Sequence, residues 1–401
     1  GTNMKLLISG LLSIVAVSAL NASSIEERLA ALEEQNQQLI EEIAGMQSDV
    51  ESDGVQSFTG LGTAASKVYR SKSKLSIGGY GVMNYVNQEG KAPVTDLYRF
   101  IPYIGYRFSD NIIMNTEIEF EHGGKESDGG YGIVEFSYLD FLIHKNFNVR
   151  VGHLLVPVGN VNLKHEPINF LGVNRPQTEK YIIPSTWHHN GLMAFGQISE
   201  NIEYQAGIID SLDGTDIGGG TRSARQGGRN KSANNFSMVA RIDYKDVDNG
   251  LEAGVSFLNG KFNEDTTATL VGIEDESITL VDIHANYKAN GVEAKFLLVS
   301  STVSDKDLIG YEGSEGMYLT VGYDIMPLIS SDSNSQMLPF LRYENYDKLI
   351  QSGQDDAVTN ITAGVNYRPH SNVVVKADYV TTKVKNADDN HAVELGLGYL
   401  F

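Results

Sequence analysis

Hydrophobic and polar residues alternate along most of the chain from residue 74 onward. In one such stretch, Glu117 and Glu119 flank Ile118, so that every second position is apolar. Because successive side chains of a β-strand point to opposite faces, this period predicts strands with one polar and one apolar face. Sixteen such runs are predicted, with the bounds 74–86, 97–108, 112–122, 131–143, 147–157, 190–199, 202–210, 236–245, 250–259, 276–287, 291–301, 315–326, 336–346, 357–368, 372–384 and 391–401.

The connections between these runs alternate in length. Each even-numbered run is joined to the next odd-numbered run by a short turn, for example 109–111 and 144–146. The connections from odd-numbered to even-numbered runs are equal or longer, up to 158–189 and 211–235. Short turns at one end and long loops at the other are typical of outer-membrane barrels, whose tilted strands need about 9–11 residues to cross a bilayer. The sequence therefore predicts an all-β fold, a 16-stranded antiparallel transmembrane β-barrel over residues 74–401.

Aromatic residues gather at one end of the predicted strands. The outward positions near the short turns are Tyr106, Tyr244, Tyr287, Tyr323, Tyr367, Tyr399 and Phe401. Such a girdle suits a membrane–water interface, although tyrosine also favours strands in general. Closure would pair the run ending at Phe401 with the first run. Phe401 also resembles the terminal aromatic signal that the barrel assembly machinery reads, which makes that machinery an expected partner.

Residues 1–73 follow other patterns. Lys5 and the apolar run that follows it predict a secretory signal peptide over 1–22, with residues 1–3 a possible tag. A heptad spacing over 23–51 predicts a coiled-coil oligomerisation helix, with a lone amphipathic helix on the barrel as the alternative. Gly, Ser, Thr and Lys dominate the predicted linker 52–73. The residues of the coiled-coil seam include Leu29, Leu32, Asn36, Leu39 and Ile43.

Composition narrows the class of protein. The chain has 401 residues and no cysteine, which excludes disulfides, thiolate metal sites and a lipid-modified cysteine. Hydrophobic residues make up 41% of the chain, too few for a bundle of membrane helices. The net charge of −20 does not predict cation selectivity, because many acidic residues lie in the predicted coil and in loops.

Several segments carry a family resemblance: "VRVGHLLVPVGNVNLKHEP" (149–167), "IIPSTWHHNG" (182–191), "RQGGRNKS" (225–232), "LPFLRYENYD" (338–347) and "AGVNYRPHSNVVVKADY" (363–379). Through them the chain resembles bacterial porins of the phosphate-selective porin O/P family over most of residues 74–401. The resemblance implies a homotrimer of sixteen-stranded pores in which the loop after the fifth strand folds inward as a constriction. Phosphate-specific members line that region with many arginines and lysines, whereas this loop is mixed. The candidate constriction residues are Lys164, His165, Glu166, Arg175, Glu179 and Lys180.

A pore selects solutes by its radius and by the fixed charge at its narrowest point. The side chains expected on the inner wall near mid-height are Arg241, Lys295, Arg342, Lys376, Glu117, Glu119, Asp282 and Asp378. The alternative is that these groups pair with one another across strands. The basic loop 211–235 is either a funnel for anions or a solvated external loop.

The sequence thus predicts a passive diffusion channel for small hydrophilic solutes or ions in the outer membrane of a Gram-negative bacterium. Its coil would lie in the periplasm, and its surroundings would be outer-membrane lipids and lipopolysaccharide. No cofactor or nucleic-acid partner is expected. A metal site at His188 and His189 is not expected either, since adjacent residues of a strand point to opposite faces. The alternatives are a structural or adhesive barrel with a blocked lumen and, less favoured, an outer-membrane enzyme.

Overall fold

The computed structural model describes residues 60–124, 129–230, 232–264, 272–351, 356–385 and 387–401. The predicted signal peptide over 1–22 and the coiled coil over 23–51, with its seam, lie outside the described residues. Of the predicted linker 52–73, residues 60–73 are described.

Sixteen antiparallel strands form a closed barrel, in which each strand pairs with its neighbours in sequence and β1 also pairs with β16. Each strand begins and ends within four residues of the predicted run, so the predicted fold is confirmed. The strands are β1 Leu75–Gln88, β2 Val94–Arg107, β3 Ile112–Glu121, β4 Tyr131–His144, β5 Phe147–Leu155, β6 His188–Ser199, β7 Ile202–Asp210, β8 Phe236–Asp246, β9 Leu251–Lys261, β10 Ser277–Ala289, β11 Val292–Val303, β12 Gly313–Tyr323, β13 Gln336–Ile350, β14 Val358–His370, β15 Val373–Val384 and β16 Asn390–Leu400.

The barrel closes where β16 meets β1. Tyr80 is paired with Leu400, and Gly79 and Phe401 exchange two backbone hydrogen bonds of 2.9 and 3.0 Å. The ring of Phe401 stacks on that of Phe100, with the ring centroids 6.0 Å apart. The seam is therefore held both by the backbone and by an aromatic contact on the outer face.

The two faces of the barrel differ in polarity, as the alternating sequence requires. Val281 and Ile283 of β10 are 40% and 52% exposed on the outer face, whereas Asp282 between them is fully buried inside. Aromatic residues from the predicted girdle, among them Tyr244 and Tyr323, are also exposed on the outer face. Among the described residues, no helix is long and apolar enough to span a membrane.

The helical segments of the described residues are short and lie before β1 or in the connections between strands. The one-turn α-helices are Lys67–Arg70, Thr178–Tyr181, Lys306–Ile309 and Met326–Ile329, and the 3₁₀ segments are His122–Gly124, Asn162–Lys164, Pro167–Asn169, Ile217–Gly219 and Ile273–Asp275. Much of the connection between β5 and β6 is buried, with Ile182, Ile183 and Trp187 fully so. These side chains belong to an apolar cluster that also includes Phe136 and Tyr318 from the inner face of the barrel.

Candidate functional site

The connection between β5 and β6, residues 156–187, lies inside the barrel and is called the inner loop here. On one side, Asp282 accepts a hydrogen bond of 3.0 Å from the Gly159 amide, and Arg241 donates one of 2.5 Å to the Gly159 carbonyl. On the other side, the Lys376 ammonium donates to the carbonyls of Phe170 and Gly172 at 2.9 and 2.8 Å. Because β8 lies seven strands from β15 in the closed order of sixteen, and is thus almost opposite to it, the inner loop crosses the interior.

The eight predicted wall residues all face the interior. Lys295 is half-buried and donates to Asn286, while the other seven are at most 5% exposed. Several of them form hydrogen bonds with the inner loop and do not line an open, water-filled lumen. Asp378 accepts from the Val173 amide at 2.5 Å, and Arg342 donates to two loop carbonyls. These charges therefore position the inner loop.

The charged residues of the inner loop fall into two groups, of which the second faces a cavity. The first group consists of Lys164, Glu166 and Glu179, whose charged ends are bound by other parts of the protein. Lys164 forms an ion pair of 2.7 Å with Glu252 of β9. Glu166 accepts hydrogen bonds of 2.9 and 3.0 Å from the amides of Ala64 and Ala65, and burial raises the pKa of its carboxyl.

Glu179 is the most enclosed of these carboxyls. Its Oε1 accepts from the Tyr318 hydroxyl at 2.5 Å, and its Oε2 accepts from the Val161 amide at 2.7 Å. Burial raises the pKa of Glu179 to about 7, although these two hydrogen bonds oppose the shift. Glu179, near the end of the inner loop, therefore connects Val161 near its start to Tyr318 of β12.

The second group faces a cavity of about 50 Å³ beside β1 and β2, which is large enough for a few water molecules. Among the described residues that line it are four cationic side chains and no carboxylate. The lining residues are Tyr80, Val82, Tyr98, Arg99, His165, Pro167, Phe170, Val173, Asn174, Arg175, Gln177, Lys180, Ser185 and Arg222.

The cationic groups of this cavity differ in how they are held. Arg99 forms ion pairs with Glu119 and Glu121 at 2.8 and 2.5 Å. The Nη2 of Arg175 donates to the His165 carbonyl at 3.1 Å, but its Nε and Nη1 have no hydrogen-bond partner among the described residues. Burial lowers the pKa of Lys180, and the neighbouring charge of Arg222 adds to that effect. Two donor groups of Arg175 are therefore available to an anion in this cavity, whereas the charge of Arg99 is already paired.

Sequence reasoning identified Arg175 and Lys180 as candidates and placed Arg222 in the basic loop 211–235, but it missed Arg99. Arg99 shares the inward parity of Tyr103 on β2, so the alternation contained the signal that would have found it. Arg222 lies in the long loop after β7, where it donates to the Lys180 carbonyl at 3.1 Å. The neighbouring Arg225 donates to the Thr186 carbonyl at 2.7 Å, so this part of the basic loop packs on the inner loop.

Residues 60–70 also pack inside the barrel, beside the ends of β2 to β5 that bear short turns. The Ala65 carbonyl accepts from Asn115 at 2.7 Å, and the Tyr69 hydroxyl donates to Asp140 at 2.6 Å. Together with the contact of Ala64 to Glu166, these bonds place the segment next to the inner loop.

No protein-family model matches the chain. It is 36% identical over 377 residues to an uncharacterized protein of Aquifex aeolicus, covering 86% of this chain and 84% of that protein. Among solved structures, OmpF of Salmonella typhi in complex with daunomycin is similar with a TM-score of 0.59 and 12% identity over 82% of this chain and 97% of that one. An anion-selective porin from Comamonas acidovorans has a TM-score of 0.56 with 13% identity, over 82% and 99% of the two chains. The outer membrane channel DcaP of Acinetobacter baumannii has a TM-score of 0.54 with 14% identity, over 85% and 100%.

Proposed function

The chain belongs to the same family as the uncharacterized protein of Aquifex aeolicus and has the barrel fold of porins, and from this premise we propose that it is a passive outer-membrane channel. Its permeants would be small hydrophilic solutes or ions. The apolar outer face supports a location among the lipids and lipopolysaccharide of a Gram-negative outer membrane.

The inner loop supplies the constriction in this proposal. The observation that carries it is the bridge across the interior, in which Arg241 and Asp282 hold Gly159 while Lys376 holds Gly172 from nearly the opposite wall. A segment fixed at both sides narrows the passage without moving, so solutes would be sorted by size and charge at this level.

The charge lining the cavity favours small anions. Arg99, Arg175, Lys180 and Arg222 surround it, while Glu166 and Glu179 are turned toward backbone amides elsewhere. Because low-dielectric walls concentrate the field of fixed charges, even a small excess of cations there would enrich anions. Inorganic phosphate is one such anion. We include it in the proposal because the sequence resembles the phosphate-selective porin O/P family.

The assembly forms a further part of the proposal. A homotrimer joined by the coil 23–51 in the periplasm agrees with the heptad spacing of that segment. Delivery by the barrel assembly machinery through Phe401 agrees with the place of this residue at the seam, where it pairs with Gly79.

A second function, a structural barrel with a blocked lumen, is supported by the small size of the cavity, about 50 Å³. In that case the inner loop would act as a permanent seal. The two functions differ in one measurable property, which is conduction.

Planar-bilayer recording of the purified full-length protein in a KCl gradient tests the proposal. We expect discrete conductance steps and a reversal potential that favours chloride. The variants Arg175→Gln and Lys180→Gln each remove one charge from the cavity and are expected to shift the reversal potential toward cation selectivity. The matched control Lys383→Gln removes a half-exposed charge on β15 that pairs with Asp389, and it is expected to change nothing.

Each outcome decides a different part. Absence of steps from correctly folded protein would favour the blocked barrel. Steps with a cation-favouring reversal potential would keep the channel but refute the anion preference. A phosphate current measured with phosphate as the only anion would support phosphate as a permeant, and block of the chloride current by phosphate would support a binding site for it in the passage.

A further inference from the structure

Three side chains from three separate elements meet beside the cavity: Glu117 of β3, Glu135 of β4 and His165 of the inner loop. One ligand atom from each lies within 4.8 Å of the others. All three residues are buried, with exposures of 0%, 1% and 2%. Two carboxylates buried this deeply are costly unless a positive charge compensates them.

The hydrogen bonding of His165 determines what it presents to the carboxylates. Its Nδ1 lies 2.8 Å from the carbonyl oxygen of Asn162, and since a carbonyl only accepts, Nδ1 must carry the hydrogen. In the neutral ring Nε2 is then an acceptor. It lies 2.9 Å from Oε1 of Glu117, a contact that requires a proton or another cation between the two atoms, and 3.8 Å from Oε2 of Glu135.

Two carboxyl oxygens of the cluster lack a hydrogen-bond partner among the described residues. Oε2 of Glu117 and Oε2 of Glu135 are buried and have no hydrogen-bond partner within the described ranges. The other oxygen of Glu135 accepts from the Thr186 hydroxyl. Nearby, the hydroxyls of Tyr80 and Tyr103 are also buried without a partner, and the Tyr80 ring lies 6.0 Å from that of His165.

Neither carboxylate forms an ion pair with lysine or arginine in the part of the chain that the structure describes. The guanidinium of Arg99 is paired with Glu119 and Glu121 instead. Arg175 donates to the backbone carbonyl of His165 and not to either carboxyl group. Among the described residues, no lysine or arginine side chain therefore contacts the carboxyl groups of Glu117 and Glu135.

We propose that Glu117, Glu135 and His165 bind a divalent transition-metal ion, for which Zn²⁺ is the best match. One imidazole nitrogen and two carboxylate oxygens are a donor set that Zn²⁺ accepts in tetrahedral geometry, with a water as the fourth ligand. Bond lengths of about 2.0–2.2 Å would place neighbouring donors about 3.4 Å apart, which lies between the 2.9 and 3.8 Å measured from Nε2. Mg²⁺ and Ca²⁺ fit less well because they prefer oxygen ligands alone.

The surroundings have the features of a metal site. The Nδ1–H of His165 donates to a backbone carbonyl, which is the usual outer contact of a metal-bound histidine. Two carboxylates would neutralise the charge of the ion. Because His165 also lines the cavity, the ion would fasten the inner loop to β3 and β4 beside the passage. This inference does not depend on conduction, since a sealed barrel would be fastened in the same way.

Metal content and Co²⁺ spectroscopy on the purified full-length protein test the proposal. After chelation and gel filtration, incubation with Zn²⁺ is expected to leave about one equivalent per chain. Co²⁺ should give visible d–d absorption bands typical of a four-coordinate site, and Zn²⁺ should abolish them. Glu135→Gln and His165→Gln should each weaken Zn²⁺ binding at least tenfold. The control His370→Gln removes a histidine at the end of β14, in a short turn, and should not alter it.

Other outcomes would overturn the proposal. Zn²⁺ that remains bound at full stoichiometry in His165→Gln would lie elsewhere on the protein. If the variants fail to fold, the wild-type protein still decides: neither Zn²⁺ retention nor a Co²⁺ spectrum would mean that a proton, and not a metal, separates the two carboxylates.

Discussion

Gly398 of β16 faces Pro167 of the inner loop so closely that a Cβ atom at position 398 would lie 2.6 Å from the proline Cβ. Neither the strand backbone nor the proline ring can yield, so Gly398→Ala is expected to push the inner loop from the wall. Overpacking of this kind costs about 1–3 kcal/mol. We expect a lower thermal midpoint in detergent and a changed single-channel conductance.

Gly396→Ala is the matched comparison for this variant. Its Cβ would meet Val173 at 3.2 Å, a contact that a small movement relieves. We therefore expect a smaller effect. Equal midpoints and conductances for both variants and the wild type would contradict the position described for Pro167.

Removal of the Lys376 ammonium is expected to loosen the inner loop. Lys376→Met would leave the carbonyls of Phe170 and Gly172 without a buried donor and would also remove a charge near Asp378. A buried carbonyl that loses its donor costs about 1–3 kcal/mol. Thermal unfolding followed by the mobility shift of heated and unheated samples on gels should show a marked drop.

Lys383→Met on the same strand is the control. Its ion pair with Asp389 at 3.2 Å is half-exposed, and such pairs contribute little to stability. A midpoint for Lys376→Met that matches this control would show that the ammonium does not anchor the loop.

The buried carboxyl group of Glu179 is expected to make the stability of the folded protein depend on pH. Burial raises its folded-state pKa from 4.5 to about 7, so the folded state favours the protonated carboxyl. Its favourable contribution is complete below pH 4.5 and is lost as the pH rises through 7, a difference of about 3 kcal/mol. Compared with wild type, Glu179→Gln should therefore lose less stability between pH 4.5 and 8.

This effect is measured as a difference between variants, because burial also raises the pKa of other carboxyls such as Glu166. The exposed Glu315→Gln on β12 serves as the control and should follow the wild-type profile. A Glu179→Gln profile parallel to wild type would mean that the pKa of Glu179 is the same in the folded and unfolded states.

Phe401 is expected to stabilise the seam. Phe401→Ala would remove the stacking on Phe100 and the contact with Tyr399, whose ring centroids lie 6.0 and 6.4 Å away. Aromatic pairs contribute about 0.5–1.5 kcal/mol beyond the area they bury. Folding into lipid vesicles should be slower and the thermal midpoint lower.

Phe108→Ala removes a ring of similar exposure that packs on Tyr106 away from the seam. It should fold at a rate close to wild type. Equal slowing by both variants would assign the effect to lost apolar surface and not to closure.

The strands were predictable because alternation is a local property. A residue of β10 such as Asp282 is placed inside by the parity of its neighbours, whichever strands lie beside it. For the same reason Arg342 and Lys376 could be assigned to the interior, although their partners could not. Those partners are backbone carbonyls of the inner loop, and carbonyls leave no signature in a sequence.

The contacts of the inner loop could not be predicted from the local sequence pattern. Lys164 and Lys180 look equivalent in the sequence, yet Lys164 is paired with Glu252 while Lys180 faces the cavity. The meeting of Glu117 and His165 was likewise hidden, because it depends on the path of an irregular segment across the barrel. Such paths are fixed by packing and by the hydrogen bonds of the wall, not by periodicity.

The pairing of Tyr80 with Leu400 has a kinetic consequence, because it closes a chain segment of about 320 residues. The entropic cost of such a closure grows as (3/2)RT ln n, which gives about 5 kcal/mol here against about 2 kcal/mol for a ten-residue hairpin. Contacts between distant parts of a chain slow folding, so β1 and β16 are expected to join last. Until then each presents an unpaired edge that invites pairing with other chains. A cell that makes this barrel must therefore shield two open edges throughout the interval between export and closure.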